Sequence, residues 1–152
     1  MKDVNEVPVS PLTDQDLALN VLSENAAPGT PVGIIAAASD ADISDSVSFT
    51  LHDNPGGLFE IDPTSGVVTL AANATLDRET DAVHTIGVTA TSSDNSITEQ
   101  NYGISVLDVN DNTPVINPGQ IYSIAENASN TDTVATVVAS DADATNLSLI
   151  HI

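Results

Sequence analysis

The chain has 152 residues, with 22 Asp and Glu against 2 Lys and Arg, for a formal net charge of -20. A chain this acidic is repelled by nucleic acid and by anionic membrane, both of which are polyanions. A hydrophobic fraction of 41% and a mean hydropathy of +0.07 argue against a disordered acidic tail.

There is no Cys, so neither disulfide nor thiolate chemistry is available, and a small exported domain would need another staple, of which bound metal is one. No apolar run approaches the roughly 20 residues of a membrane helix, so direct membrane insertion is not expected of this fragment. Met1-Lys2-Asp3-Val4-Asn5 leads into polar sequence rather than a signal peptide. If the protein is exported, this is an internal piece of it.

In chain order the predicted elements are all strands. The runs Val32–Ala36, Val47–Leu51 and Val67–Leu70 are bounded by Gly, Pro, Asn and Asp. Strict alternation follows in His84–Ala90 and Tyr102–Val106, which places one face on a core and the other in water. Asn54-Pro55-Gly56-Gly57 and Asp62-Pro63-Thr64-Ser65-Gly66 supply turn chemistry between them. About seven short strands in roughly a hundred residues predict an all-β, antiparallel Greek-key β-sandwich of the immunoglobulin-like kind.

The chain also repeats itself. Ser23-Glu24-Asn25 recurs as Ala125-Glu126-Asn127 after 102 residues, Ala38-Ser39-Asp40-Ala41-Asp42 as Ala139-Ser140-Asp141-Ala142-Asp143 after 101, and Asp3-Val4-Asn5-Glu6 as Asp108-Val109-Asn110-Asp111 after 105. A period near one hundred residues indicates tandem whole domains, not a solenoid. The expected organisation is the end of a preceding repeat or linker at 1–12, a complete repeat at 13–112, and the N-terminal part of a second at 113–152.

The acids are concentrated at Glu24, Asp77 and Glu79, Asp108 to Asn112, and Asp141 and Asp143. Calcium takes six to eight oxygen ligands, largely carboxylates and carbonyls. Gathering seven carboxylates without a cation would be prohibitive, and roughly three divalent ions would nearly neutralise them.

These residues resemble the cadherin repeat family. Leu76-Asp77-Arg78-Glu79 is similar to its L-D-R-E motif, Asp108–Asn112 with Thr113-Pro114 to its linker, Glu24 and Glu126 to its conserved-type glutamate, and Asp40/Asp42 and Asp141/Asp143 to its D-x-D pair. Phe59-Glu60-Ile61-Asp62 with Ser65-Gly66 resembles a further segment of the family. The resemblance implies three Ca2+ ions at the junction between repeats. Glu24, Asp77, Glu79 and Asp111 would hold the first. The second would take Glu24, Glu79, Asp108, the Val109 carbonyl, Asp111 and Asp143. The third would take Asn110, the Asn112 carbonyl, Asp141 and Asp143. Asp3, Asn5, Glu6, Asp40 and Asp42 look like half of an earlier junction. Departures are Glu6 and Val7 in place of the linker's second Asp and final Asn, and Ser92 where the family often has an Asp, which weakens the third site; Asp94 is not expected to substitute for it.

Other readings are weaker. His84 sits at an inward position and reads as a core residue, and neither it nor His52 and His151 has partners suggesting zinc. Sequons at Asn73, Asn127 and Asn146 are a weak three-residue pattern. No nucleophile–base arrangement is evident, so an enzyme is not expected. The expected function is a calcium-dependent structural or adhesive module of a surface or secreted, extracellular protein, partnered by neighbouring repeats. The alternative is a module that binds a homophilic protein partner or a polysaccharide directly. The absence of Trp and an aromatic content of 3% favour the first. The Ala-, Thr-, Ser- and Asp-rich style resembles prokaryotic-type repeats.

Overall fold

Alternation of apolar and polar residues along the sequence becomes alternation of inward and outward side chains in the computed structural model, which describes residues 7–42 and 44–143. The chain forms two units, Met1–Leu107 and Asp108–Ile152.

The first unit contains β1 (Thr13–Asp14), β2 (Val21–Ser23), β3 (Pro31–Ala37), β4 (Val47–Asp53), β5 (Phe59–Ile61), β6 (Val67–Leu70), β7 (Val83–Ser92) and β8 (Ile97–Leu107), with one 3-10 turn at Pro55–Gly57. They make two four-stranded sheets, ordered β1-β3-β6-β5 and β2-β8-β7-β4. β3 to β4, β4 to β5 and β6 to β7 each cross from one sheet to the other, giving the expected Greek-key sandwich. Eight strands stand where seven were expected because the first is split. β1 pairs antiparallel with β3, and β2 runs parallel to β8, the one parallel pair among the described residues.

The split has a local cause. Asp14 Oδ1 accepts the N–H groups of Asp16 and Ile35, each at 3.0 Å, which turns the chain off the first sheet. The crossing segment then passes over Gly33, where φ is +83° and a Cβ would collide with the Leu19 carbonyl. A register shift between Pro31 and Ile35 marks the bulge there.

Between the sheets lie the inward rows: Val32 and Ile34 of β3, Val68 and Leu70 of β6, Ile86 and Val88 of β7, and Ile104 of β8, all less than 2% exposed. Phe49 and Phe59 close the core. Burying each such side chain contributes about 1.5–3 kcal/mol. His84 is half-buried with its ring edge-on to Phe59 at 5.9 Å, in keeping with a core role.

The Asp62–Gly66 turn joins β5 to β6. Asp62 Oδ1 accepts the Ser65 N–H at 2.7 Å, the Ser65 hydroxyl at 2.9 Å and the Thr64 N–H at 3.0 Å. The Ser65 backbone bond above all, then its hydroxyl and the Thr64 N–H, hold the Asp62 carboxyl below its usual range. Gly66, at φ +72°, presses against the β3 backbone, where a Cβ would collide with the Ala36 carbonyl.

The second unit pairs β9 (Val115–Ile116) with β10 (Ala139–Ser140), antiparallel. Gln120 ties its loops together, donating to the carbonyls of Asn117 and Val138 and accepting the Val138 N–H at 2.7 Å. Ile121, Val134 and Val137 are exposed, since no second sheet covers them among the described residues.

Gly66→Ala is expected to cost about 2–4 kcal/mol, from left-handed backbone strain plus the collision, and urea denaturation will measure it. Asp62 sets an acid limb. Its folded pKa lies below the unfolded value, so its contribution is complete above the ordinary 3.8 and is lost as pH falls through the folded value. The urea midpoints of wild type and Asp62→Asn should therefore converge as pH drops below about 4.

Candidate metal centre

Glu24 follows β2 directly. Its N–H donates to the Leu107 carbonyl at 3.2 Å, extending the parallel ladder, and its side chain is buried. Glu24 Oε2 accepts the Arg78 N–H at 2.7 Å. That bond anchors the β6–β7 loop, whose Leu76 is packed into the core. The loop then brings the Glu79 carboxylate to within 4.8 Å of that of Glu24. Asp77 is not drawn into this pair. Its Oδ1 accepts the Thr80 N–H and its Oδ2 accepts the Thr80 hydroxyl, both at 2.9 Å, so its carboxylate serves its own turn.

The second unit opens with Asp108, Val109 and Asn110, which lie outside any strand. Asn112 then crosslinks the unit. Its N–H donates to Asp143 Oδ2 at 2.9 Å, and its side-chain amide donates to Asp143 Oδ1 at 3.0 Å and Asp111 Oδ1 at 2.9 Å. Asp111 and Asp143 bring carboxylate oxygens within 4.8 Å. The Asn112 amide, ahead of further backbone and side-chain bonds, holds the Asp143 carboxyl below its usual range although burial opposes it. Asn112 thus contributes a side-chain tether in addition to the carbonyl assigned to it from sequence.

The two D-x-D segments adopt the same turn. Asp40 Oδ1 accepts the Asp42 N–H at 3.0 Å, and Asp141 Oδ1 accepts the Asp143 N–H at 3.2 Å. In both, the other oxygen, Oδ2 of Asp40 and of Asp141, is buried without a hydrogen-bond partner among the described residues. The linker contact repeats as well: Val7 N–H donates to Asp42 Oδ2 at 3.1 Å, as Asn112 does to Asp143. Val7 has no amide, so the side-chain tether exists only in the second unit. Asp3, Asn5 and Glu6 lie outside the described residues.

Asp40 has company that the sequence motifs did not include. Asp45 and Asp94 place carboxylate oxygens within 4.8 Å of it and of each other. Their common signal is position, each standing two residues beyond an inward-facing strand residue.

All these donors are oxygens, and buried carboxylate oxygens without hydrogen-bond partners suit a hard cation of calcium's kind rather than zinc. The residues present therefore fit the ion that the motifs imply. His52 is engaged elsewhere, with Nδ1 2.9 Å from the Thr89 hydroxyl. Among the described residues no helix is long and apolar enough to cross a membrane.

A Greek-key sandwich whose loops gather paired carboxylates at the strand ends defines the class: a β-sandwich module with acidic loops. A profile of the Cadherin domain matches residues 20–110. The chain belongs to the cadherin family. It is 38% identical to Cadherin-7 of Gallus gallus over 148 residues, covering 94% of this chain and 18% of that protein. It is 40% identical to Cadherin-17 of Rattus norvegicus over 114 residues, covering 74% and 13% respectively. The chain thus spans less than a fifth of these relatives. Among solved structures, mouse Cadherin-23 EC22-24 superimposes with a TM-score of 0.72 at 28% identity, covering 93% of this chain and 45% of that one. The Protocadherin GammaB4 extracellular domain gives 0.71 at 27%, covering 93% and 22%.

Glu24→Ala should cost about 1–3 kcal/mol in chelator, because the Arg78 N–H loses its acceptor. Glu24→Gln keeps an oxygen for that bond and relieves repulsion with Glu79, so its loss should be much smaller; urea denaturation of the two variants checks the difference.

Proposed function

We propose that this chain is a calcium-stiffened segment of an extracellular adhesive protein, acting as a structural module rather than an enzyme. Residues 13–112 would be one complete cadherin-like repeat, 113–152 the N-terminal part of the next, and 1–12 the end of a preceding repeat or linker. The observation that carries this reading is the duplicated D-x-D turn, in which Asp40 Oδ2 and Asp141 Oδ2 are each buried with no hydrogen-bond partner among the described residues. A structural loop would satisfy such an oxygen with a donor. Finding the same atom unsatisfied in both units supports a ligand role for it.

In this reading Glu24, Asp77, Glu79, Asp108, the Val109 carbonyl, Asn110, Asp111, the Asn112 carbonyl, Asp141 and Asp143 hold Ca2+ where one repeat meets the next. Asp3, Asn5, Glu6, Asp40 and Asp42 do so toward a preceding repeat. The ions supply positive charge and multiple oxygen coordination. The chain's own part is to hold the donors ready. Arg78 N–H aims Glu24, and Asn112 aims Asp111 and Asp143. Asp77 would join the set while its two oxygens stay bonded to the Thr80 N–H and hydroxyl, since each keeps a lone pair for an ion. Without the ions, neighbouring carboxylates repel and the short linker flexes as interdomain linkers do. With them, successive repeats are partners to each other and the array stiffens.

Binding linkage gives the test. At a free calcium concentration about one hundred times Kd, each site adds about 2.7 kcal/mol to stability. EDTA should therefore lower Tm by on the order of 10 °C. Asp111→Ala in saturating calcium should reproduce a large part of that fall. A melting curve that EDTA leaves unchanged overturns the proposal.

A further inference from the structure

β4 ends one sheet of the first unit and β5 ends the other, and the two edges face each other across a notch in the side of the sandwich. Hydrogen bonds lace the notch at both ends. At one, the Phe49 N–H donates to the Pro63 carbonyl at 3.0 Å. At the other, the Asn54 side chain pairs with Phe59 as a strand would, donating to its carbonyl at 2.7 Å and accepting its N–H at 3.2 Å.

These bonds show which way the backbone between them points. The polar groups of a paired strand face its two sides at alternate residues. Phe49 turns its N–H away from β7, so Leu51, two residues on, also presents its N–H and C=O outside the sheet. Phe59 turns its N–H and C=O away from β6, so Ile61 does the same. Leu51 thus opens onto the notch from one edge and Ile61 from the other. No further strand pairs with either edge among the described residues. With seven residues, β4 is the longest edge strand of the unit; β1, β2 and β5 have two, three and three. An open edge of this kind is a template for an added strand.

The lining selects what can be added. Phe49 and Phe59, both buried, and Leu51 and Ile61, both partly buried, form an apolar floor. The rim carries acids, Glu60 on β5 and Asp53 at the end of β4, both exposed. The floor suits one aliphatic side chain. The carboxylates, in a chain of net charge -20, attract cationic groups on either side of it. A second copy is a poor match, since the chain has only 2 Lys and Arg against 22 acids.

We propose that this notch docks a short, extended, basic segment of a partner protein, which adds to the open edge of β4 and seats one apolar side chain over Phe49 and Phe59. The module then carries a ligand on its flank while its poles join it to neighbouring repeats.

The test is NMR titration of the whole chain, in saturating calcium chloride, with the peptide acetyl-Lys-Thr-Leu-Thr-Lys-amide. Saturable shifts are expected at the backbone amides of Leu51 and Ile61. Two comparisons separate docking from general attraction to an acidic surface. Methylating the backbone nitrogen of the peptide's leucine removes a strand donor and should weaken binding at least about fivefold. The variant Asp53→Asn/Glu60→Gln should bind about three- to tenfold more weakly with no loss of Tm, since both side chains are exposed. Equal binding by the methylated peptide, by the double variant, or by acetyl-Glu-Thr-Leu-Thr-Glu-amide overturns the inference. So does an absence of binding, or shifts confined to the acidic loops. Shifts at Leu51 and Ile61 on concentrating the protein alone identify a second copy as the occupant and overturn it too. The melting test in EDTA decides the proposed function separately.

Discussion

The two-residue repeat of the β-strand is the constraint from which the rest of the first unit follows. Inward rows of Val, Ile and Ala fill the space between the sheets. Because the rows are straight, they also determine which residues emerge at the poles when the strands end. Asp40, Asp45 and Asp94 arrive together at one pole for the same reason that Ile34, Phe49 and Ala90 meet in the core. The acidic grouping is thus a continuation of the packing.

Electrostatics then works against packing. A chain with a net charge of -20 gathers carboxylates into a few places, which costs free energy in the absence of a counterion. The hydrogen bonds that orient these acids come mostly from backbone N–H groups, at Arg78 for Glu24, Asp42 for Asp40, and Asn112 and Asp143 for the D-x-D acids of the second unit. Neutral donors fix geometry while leaving charge in place. That combination suits a site whose neutralising partner comes from solution.

Much of this was legible in the sequence. β3, β4, β6, β7 and β8 announce themselves by alternation or by Val- and Ile-rich runs between turn residues. The acidic motifs were visible because they repeat. The split of the first strand was not, since β1 and β2 have two and three residues and are too short to show a period. The grouping of Asp45 and Asp94 with Asp40 has no linear signature, because it depends on strand ends converging in space, two residues beyond the inward rows. Asp77 carried its own signal, an Asp three residues before Thr80, the spacing of a side-chain-to-backbone turn.

The parallel pairing of β2 with β8 has a mechanical consequence. Val21, Leu22 and Ser23 lie opposite Ser105, Val106 and Leu107, so β2, the second half of the split first strand, and β8, the last strand of the unit, point the same way. When tension pulls the entering chain backwards and the leaving chain forwards, these strands are drawn past each other lengthwise. All the rungs between them, with the Glu24-to-Leu107 bond at their end, bear the load together instead of unzipping singly. The module is thereby braced along the axis on which an array of such repeats would be stretched.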